Sequence, residues 1–156
     1  MAHSFRQDGG RYVVRLRPAE VGLLRGLVAD VERLLAADAP PNDVTRRLLP
    51  DPSTDPTIAH DLRELIEDDL RAGKIEAARV MRETLAEDGR IALDQEQAEI
   101  WATVLNDVRL ALGTAIGVTE DEHDSDDPSF ELYDWLTWLQ GTLVDVLSRG
   151  IGDRQL

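Results

Sequence analysis

The stretch Trp101–Val118, WATVLNDVRLALGTAIGV, decides how this chain folds. Trp101, Val104, Leu105, Val108 and Leu112 recur at steps of three and four residues, the spacing of one helix face. Ala98 continues the stripe backwards, so the spacing predicts a helix over 95–113. Asp94 is its N-cap, and Gly113 ends or kinks it. Asn106, Asp107 and Arg109 interrupt the apolar run. With Trp101 at zero, the stripe lies within about 60°, Arg109 falls at about 80°, Gly113 at about 120° and Asn106 at about 140°. Arg109 is therefore expected to be half-buried, its stem on apolar surface and its guanidinium held by a carboxylate. Its replacement by Ala is then expected to cost on the order of 3 kcal/mol, because the carboxylate is left unpaired. The other reading makes Asn106 and Arg109 a ligand site. Asp107 lies on the opposite flank and is not expected to pair with Arg109. Ile100 and Leu110 fall outside the main stripe, which implies a helix covered on more than one side.

Upstream of this helix, Ile91 and Leu93 alternate with Arg90 and Ala92, as a short strand requires. The same order occurs earlier in the chain. RYVVRL, residues 11–16, reads as a strand, Pro18 suits a first helical turn, and Val21, Leu24, Leu27, Val28, Val31 and Leu35 form a helical stripe over 19–36. At an offset of about 77 residues, Val14 and Leu16 correspond to Ile91 and Leu93. Leu24, Leu27, Val28, Val31 and Leu35 correspond to Trp101, Val104, Leu105, Val108 and Leu112. An internal strand–helix repeat would place the two strands side by side around a pseudo-twofold axis.

The remaining segments are helices and connectors. Five of the seven prolines fall in 37–57, a connector with one helical turn at 44–49. Ile58, Leu62, Leu65, Ile66 and Leu70 make a stripe that ends at Gly73, and Ile75, Ala78, Met81 and Leu85 make another. These predict a helical hairpin with a tight turn at Ala72–Lys74. TEDEHDSDDPS, 119–129, reads as a mobile acidic loop. The last helix, 130–149, is apolar over most of its circumference, with Asp134, Thr137, Gly141, Asp145 and Ser148 in a narrow stripe. Such a helix is either central in the core or shared with a partner. Trp135, Trp138, Leu139, Leu143 and Val146 are taken as an interaction surface, expected to build a homodimer.

Composition narrows the function classes. Asp and Glu number 31 against 17 Lys and Arg, a formal net charge of −14, which weighs against nucleic acid and anionic lipid as partners. The exception would be a local basic patch, for which Arg6, Arg11, Arg15 and Arg17 are the candidates. Cysteine is absent, which excludes disulfides, thiolate catalysis and Cys-ligated zinc within these residues. His3, His60 and His123 show no ligand spacing, and no EF-hand, phosphate loop, dinucleotide fingerprint or nucleophile elbow occurs. No catalytic residue, metal or cofactor is expected. Met1–Gly10 is polar, and no apolar run approaches the roughly 20 residues of a membrane span, so the expected compartment is the cytoplasm.

Three blocks carry a family resemblance: RLLPDPSTDPTIAHDLRELIEDDLRAGKIEAARVMRETL, LDQEQAEIWATVLNDVRLALGTAIGV and YDWLTWLQGTLVDVL. Their most specific parts are LNDVRLALGT and YDWL. Together they resemble an actinobacterial domain-of-unknown-function family, encoded near the ClpS adaptor and including AosR-like oxidative-stress regulators. The resemblance implies a regulatory or adaptor role. It also implies a cysteine-pair redox switch in one branch, which this chain lacks.

The expected fold class is mainly α (α+β): about five helices with a small two-stranded sheet. One domain is expected over 11–149, with a disordered arm at 1–10 and a tail at 150–156. The expected function is non-catalytic regulation through protein–protein binding, acting on transcription or proteolysis machinery. A ligand-binding protein or enzyme using Arg109 and Asn106 is the alternative, and a DNA-binding module the next.

Overall fold

Alternation in RYVVR and RIAL puts one set of side chains on each face of a sheet. The computed structural model describes residues 4–36, 56–116 and 128–154. In it, β2 (Arg11–Arg15) buries Tyr12 and Val14, and β3 (Arg90–Leu93) buries Ile91 and Leu93. The two strands are antiparallel neighbours, with Tyr12 opposite Leu93 and Val14 opposite Ile91. Gly89 sets up this pairing: its φ is +79°, and a Cβ there would lie 1.9 Å from the Leu16 carbonyl oxygen. The Leu16 N–H donates to the Gly89 carbonyl at 2.8 Å and extends the ladder.

The sheet has a third strand. β1 (Arg6–Asp8) pairs antiparallel with β2 through Gly9 and Gly10, at φ 58° and 82°. Two successive positive φ values make the tight turn whose twist suits a hairpin. Residues 6–8 therefore correct the expectation of a disordered arm over 1–10, and the sheet is three-stranded in the order β1-β2-β3 rather than two-stranded.

The helices are α1 (Pro18–Ala36), α2 (Pro56–Thr84), α3 (Gln95–Ile116) and α4 (Pro128–Arg154). Four helices among the described residues replace the expected five, since α2 runs straight through Gly73 and no hairpin forms. Gly73 is exposed with nothing near it, so its cost is the roughly 1 kcal/mol of helix propensity. Burial of Ala78 and Met81, with Ile75 packed against the core, outweighs that cost. Leu70, expected on an apolar stripe, is 40% exposed. α4 continues through 150–154, expected as tail. The expectations for 37–55, for the side chain of His60 and for the acidic loop over 119–127 lie outside the described residues.

α3 is the centre of the molecule. It packs against α1, α2, α4, β2 and β3, which explains why its apolar residues exceed one stripe. α4, by contrast, packs chiefly on α3 and meets β1, where the Phe5 N–H donates to Thr142 Oγ1 at 3.3 Å. The core is continuous from Tyr12 and Leu16 through Leu24, Trp101 and Leu105 to Leu136 and Leu143.

The offset of about 77 extends to the helix starts. Arg17 N–H donates to Glu20 Oε1 at 2.8 Å, and Asp94 N–H donates to Gln97 Oε1 at 3.0 Å. Each is the reach-back half of a capping box, three residues into its helix. Val21, Leu24, Val28 and Val31 are buried in α1, as Ala98, Trp101, Leu105 and Val108 are in α3. Val14 and Ile91, equivalent under the offset, face each other across the ladder. A twofold axis between the strands would pass through such a pair.

Candidate functional site

The polar flank of α3 meets α4. Arg109 Nη2 donates to Asn106 Oδ1 at 2.9 Å, one turn back. Its Nη1 lies 3.5 Å from the Tyr133 hydroxyl, and the guanidinium carbon is 6.0 Å from the Tyr133 ring centre. Gly113 makes the approach possible, because a Cβ there would come within 3.0 Å of the same ring. Gly113 is thus a packing site inside α3, which continues to Ile116, rather than a helix stop. Asn106, Arg109 and Gly113 share a flank, as their spacing predicts.

The expected carboxylate is missing from this cluster. Arg109 is held by an amide and an aromatic ring, and its Nε is buried without an acceptor. A cation–π contact and a neutral hydrogen bond hold a charge less firmly than a carboxylate does. Arg109→Ala should therefore cost about 1–2 kcal/mol, measured by urea unfolding, and not the larger cost of an abandoned carboxylate. A loss well above that range would show a charged partner after all.

The buried carboxylate in α3 is Asp107 instead. It is 4% exposed and accepts from Lys74 Nζ at 2.9 and 3.1 Å. Burial pushes the Asp107 carboxyl above the usual range, and the Lys74 ammonium offsets part of that rise. This ion pair ties α2 to α3. Its partners are far apart in sequence, so helical spacing alone gives no sign of it.

The surface expected on α4 divides in two. Leu139 and Leu143 are fully buried and Val146 is 7% exposed, so these three belong to the core rather than to an outer face. Trp135 is half-buried against the same core. Trp138 is 41% exposed and Val144 43% exposed. Val144 was not among the expected residues, although it sits about 140° from Leu139 on a helical projection.

The two segments with the most specific resemblance, LNDVRLALGT and YDWL, thus meet at Arg109, Gly113 and Tyr133. A family described as a domain of unknown function, DUF2017, matches residues 2–147. The chain belongs to the DUF2017 family. Among its relatives is the putative oxidative stress regulator AosR of Mycobacterium leprae, 30% identical over 88% of this chain and 82% of that one. The oxidative stress regulator AosR of Mycobacterium tuberculosis is also 30% identical, over 90% of this chain and 84% of its own length. No solved structure matches. Among the described residues of this DUF2017 member, no helix is long and apolar enough to cross a membrane.

Proposed function

We propose that this chain is a non-catalytic, cytoplasmic regulatory protein that acts by binding another protein, with a second copy of itself as the first partner. The observation that carries the reading is Trp138, whose large apolar ring is 41% exposed on the outer side of α4. An exposed Trp beside a packed one is typical of a contact centre, where aromatic anchors supply most of the binding energy. The regulator names of the relatives support the class of role. The Arg109 cluster supports it too, since its donors join two helices. Cysteine is absent, so a thiol switch is not how this chain would respond.

Sedimentation equilibrium tests the reading. At about 10 μM the wild type should run as a dimer if its Kd is near 1 μM, and Trp138→Glu should run as a monomer with an unchanged far-ultraviolet spectrum. A photo-crosslinker at position 138 extends the test to other partners, on transcription or proteolysis machinery. A monomeric wild type whose position 138 crosslinks to no protein would overturn the proposal.

A further inference from the structure

The cations of this acidic chain are not evenly used. From Arg25 to Arg149, each Lys or Arg on a helix whose side chain the structure describes has a hydrogen bond or ion pair, as Arg82 has with Glu32 and Arg149 with Asp145. Among the described residues, Arg6, Arg11, Arg15 and Arg90 have no side-chain partner, and all four lie in the sheet. The register puts them on one face. Arg6 stands opposite Val13, Asp8 opposite Arg11, Val13 opposite Ala92, and Arg15 opposite Arg90. Tyr12, Val14, Ile91 and Leu93 occupy the other, buried face. The outer face is concave, with a cavity of about 630 Å³ lined by Arg6, Arg15, Arg90, Asp8, Val13 and Ala92 among others.

Two features point to an external anion. Like charges directly opposite each other weaken a sheet, yet Arg15 faces Arg90 and neither guanidinium is paired with a carboxylate, the nearby Asp88 being turned to the Arg90 N–H at 3.0 Å. The rest of the chain brings the net charge to −14, so this face is a local reversal of sign. We infer that it docks an acidic, extended segment of a partner protein. Carboxylates of that segment pair with Arg6, Arg15 and Arg90, and an apolar side chain covers Val13 and Ala92. Guanidinium and carboxylate match as two-point pairs.

The chemistry favours a peptide over a nucleic acid. Asp8 lines the cavity. A phosphate backbone offers it only further negative charge, whereas a peptide offers N–H donors. The outward side chains of β2 and β3 are Arg11, Val13, Arg15, Arg90 and Ala92, so bases find no aromatic platform. This docking face is separate from the α4 surface and stands or falls independently of it.

The test uses the full chain and a fluorescein-labelled peptide of alternating Glu and Val, followed by anisotropy at low salt. Saturable binding is expected, weakening as salt is added. Arg15→Glu should lose about tenfold or more in affinity. It also replaces a like-charge pair by an opposite-charge pair with Arg90, so its thermal midpoint should not fall, which separates lost binding from lost fold. Trp138→Glu should bind as the wild type does. The proposal is overturned by no saturable binding at about millimolar peptide, or by equal affinity for wild type and Arg15→Glu. It is equally overturned if Trp138→Glu loses the peptide, or if a short DNA duplex binds more tightly than the peptide and is released by Arg15→Glu.

Discussion

Replacing Lys74 with Met should lower stability by about 3–5 kcal/mol, the usual cost of stranding a buried charge. For a domain of this size that is a fall in Tm on the order of 10 °C. The side chains of Asp107 and Lys74 are 5% and 18% exposed, so water reaches neither well enough to replace the partner. Both Asp107 oxygens accept from the one ammonium. Met keeps the length and packing of the Lys stem, so the loss reports the charge rather than a cavity. Lys74→Met combined with Asp107→Leu should recover most of the stability, because a buried pair replaced by apolar groups is often neutral. Failure of the double variant to recover would show that the pair is needed for more than neutralising itself.

The pH dependence of that deficit follows from Asp107. Burial raises its folded carboxyl above the unfolded value, despite Lys74. The folded chain therefore binds the proton more tightly than the unfolded chain. The Asp107 contribution to stability grows as pH falls through the window between the raised folded value and the ordinary unfolded one, and is lost as pH rises through it. Without Lys74 the carboxyl rises further, so the gap between wild type and Lys74→Met should narrow as pH falls from above the raised folded value towards the ordinary carboxylate range. Urea titrations of both proteins at each pH cancel the titration of the exposed acids. A gap independent of pH would mean that Asp107 stays charged in the variant.

Much of this architecture is legible from periodicity. Period-two alternation finds β2 and β3, and the offset of about 77 places them side by side. What escapes is decided by contacts between distant segments. β1 is three residues long, all exposed, too short and polar to alternate. Its readable signal is Gly9–Gly10, a two-residue hairpin turn between a strand and its flank. Gly73 reads as a terminator from propensity alone, but the packing of α2 on α1 and α3 carries the helix through it. The last helix shows how many apolar residues it has and not which neighbours cover them. Leu139, Leu143 and Val146 are covered within this chain and Trp138 is not, a distinction that belongs to α3 as much as to α4. At the polar flank the sequence brings Asn106, Arg109 and Gly113 together correctly. It does not supply Tyr133, which arrives from another helix, nor the pairing of Asp107 with Lys74.

Trp101→Ala should cost about 3–5 kcal/mol, the range for emptying a large aromatic site. Trp101 is fully buried on α3. Phe5, just before β1, meets its ring edge-on, with centroids 6.0 Å apart and planes at 80°. Its indole N–H donates to Thr84 Oγ1 at 2.6 Å, at the end of α2. The Ala variant removes the bulk, the ring contact and the hydrogen bond together. Trp101→Phe separates them, since it keeps an aromatic ring against Phe5 and leaves Thr84 without its donor. The Thr84 hydroxyl lies 2.9 Å from the Val80 carbonyl and 3.0 Å from that of Met81, and donates within its own helix. It is therefore not stranded, and Trp101→Phe should cost only about 1–2 kcal/mol. The Ala variant should also release β1. Amide hydrogen exchange at residues 6–8 should then accelerate more than at residues 91 and 93, which β2 still holds. Equal acceleration in both strands would show that Trp101 supports the sheet as one unit rather than through Phe5, and equal stability losses for the Phe and Ala variants would place the energy in the hydrogen bond to Thr84 instead of in the packed ring.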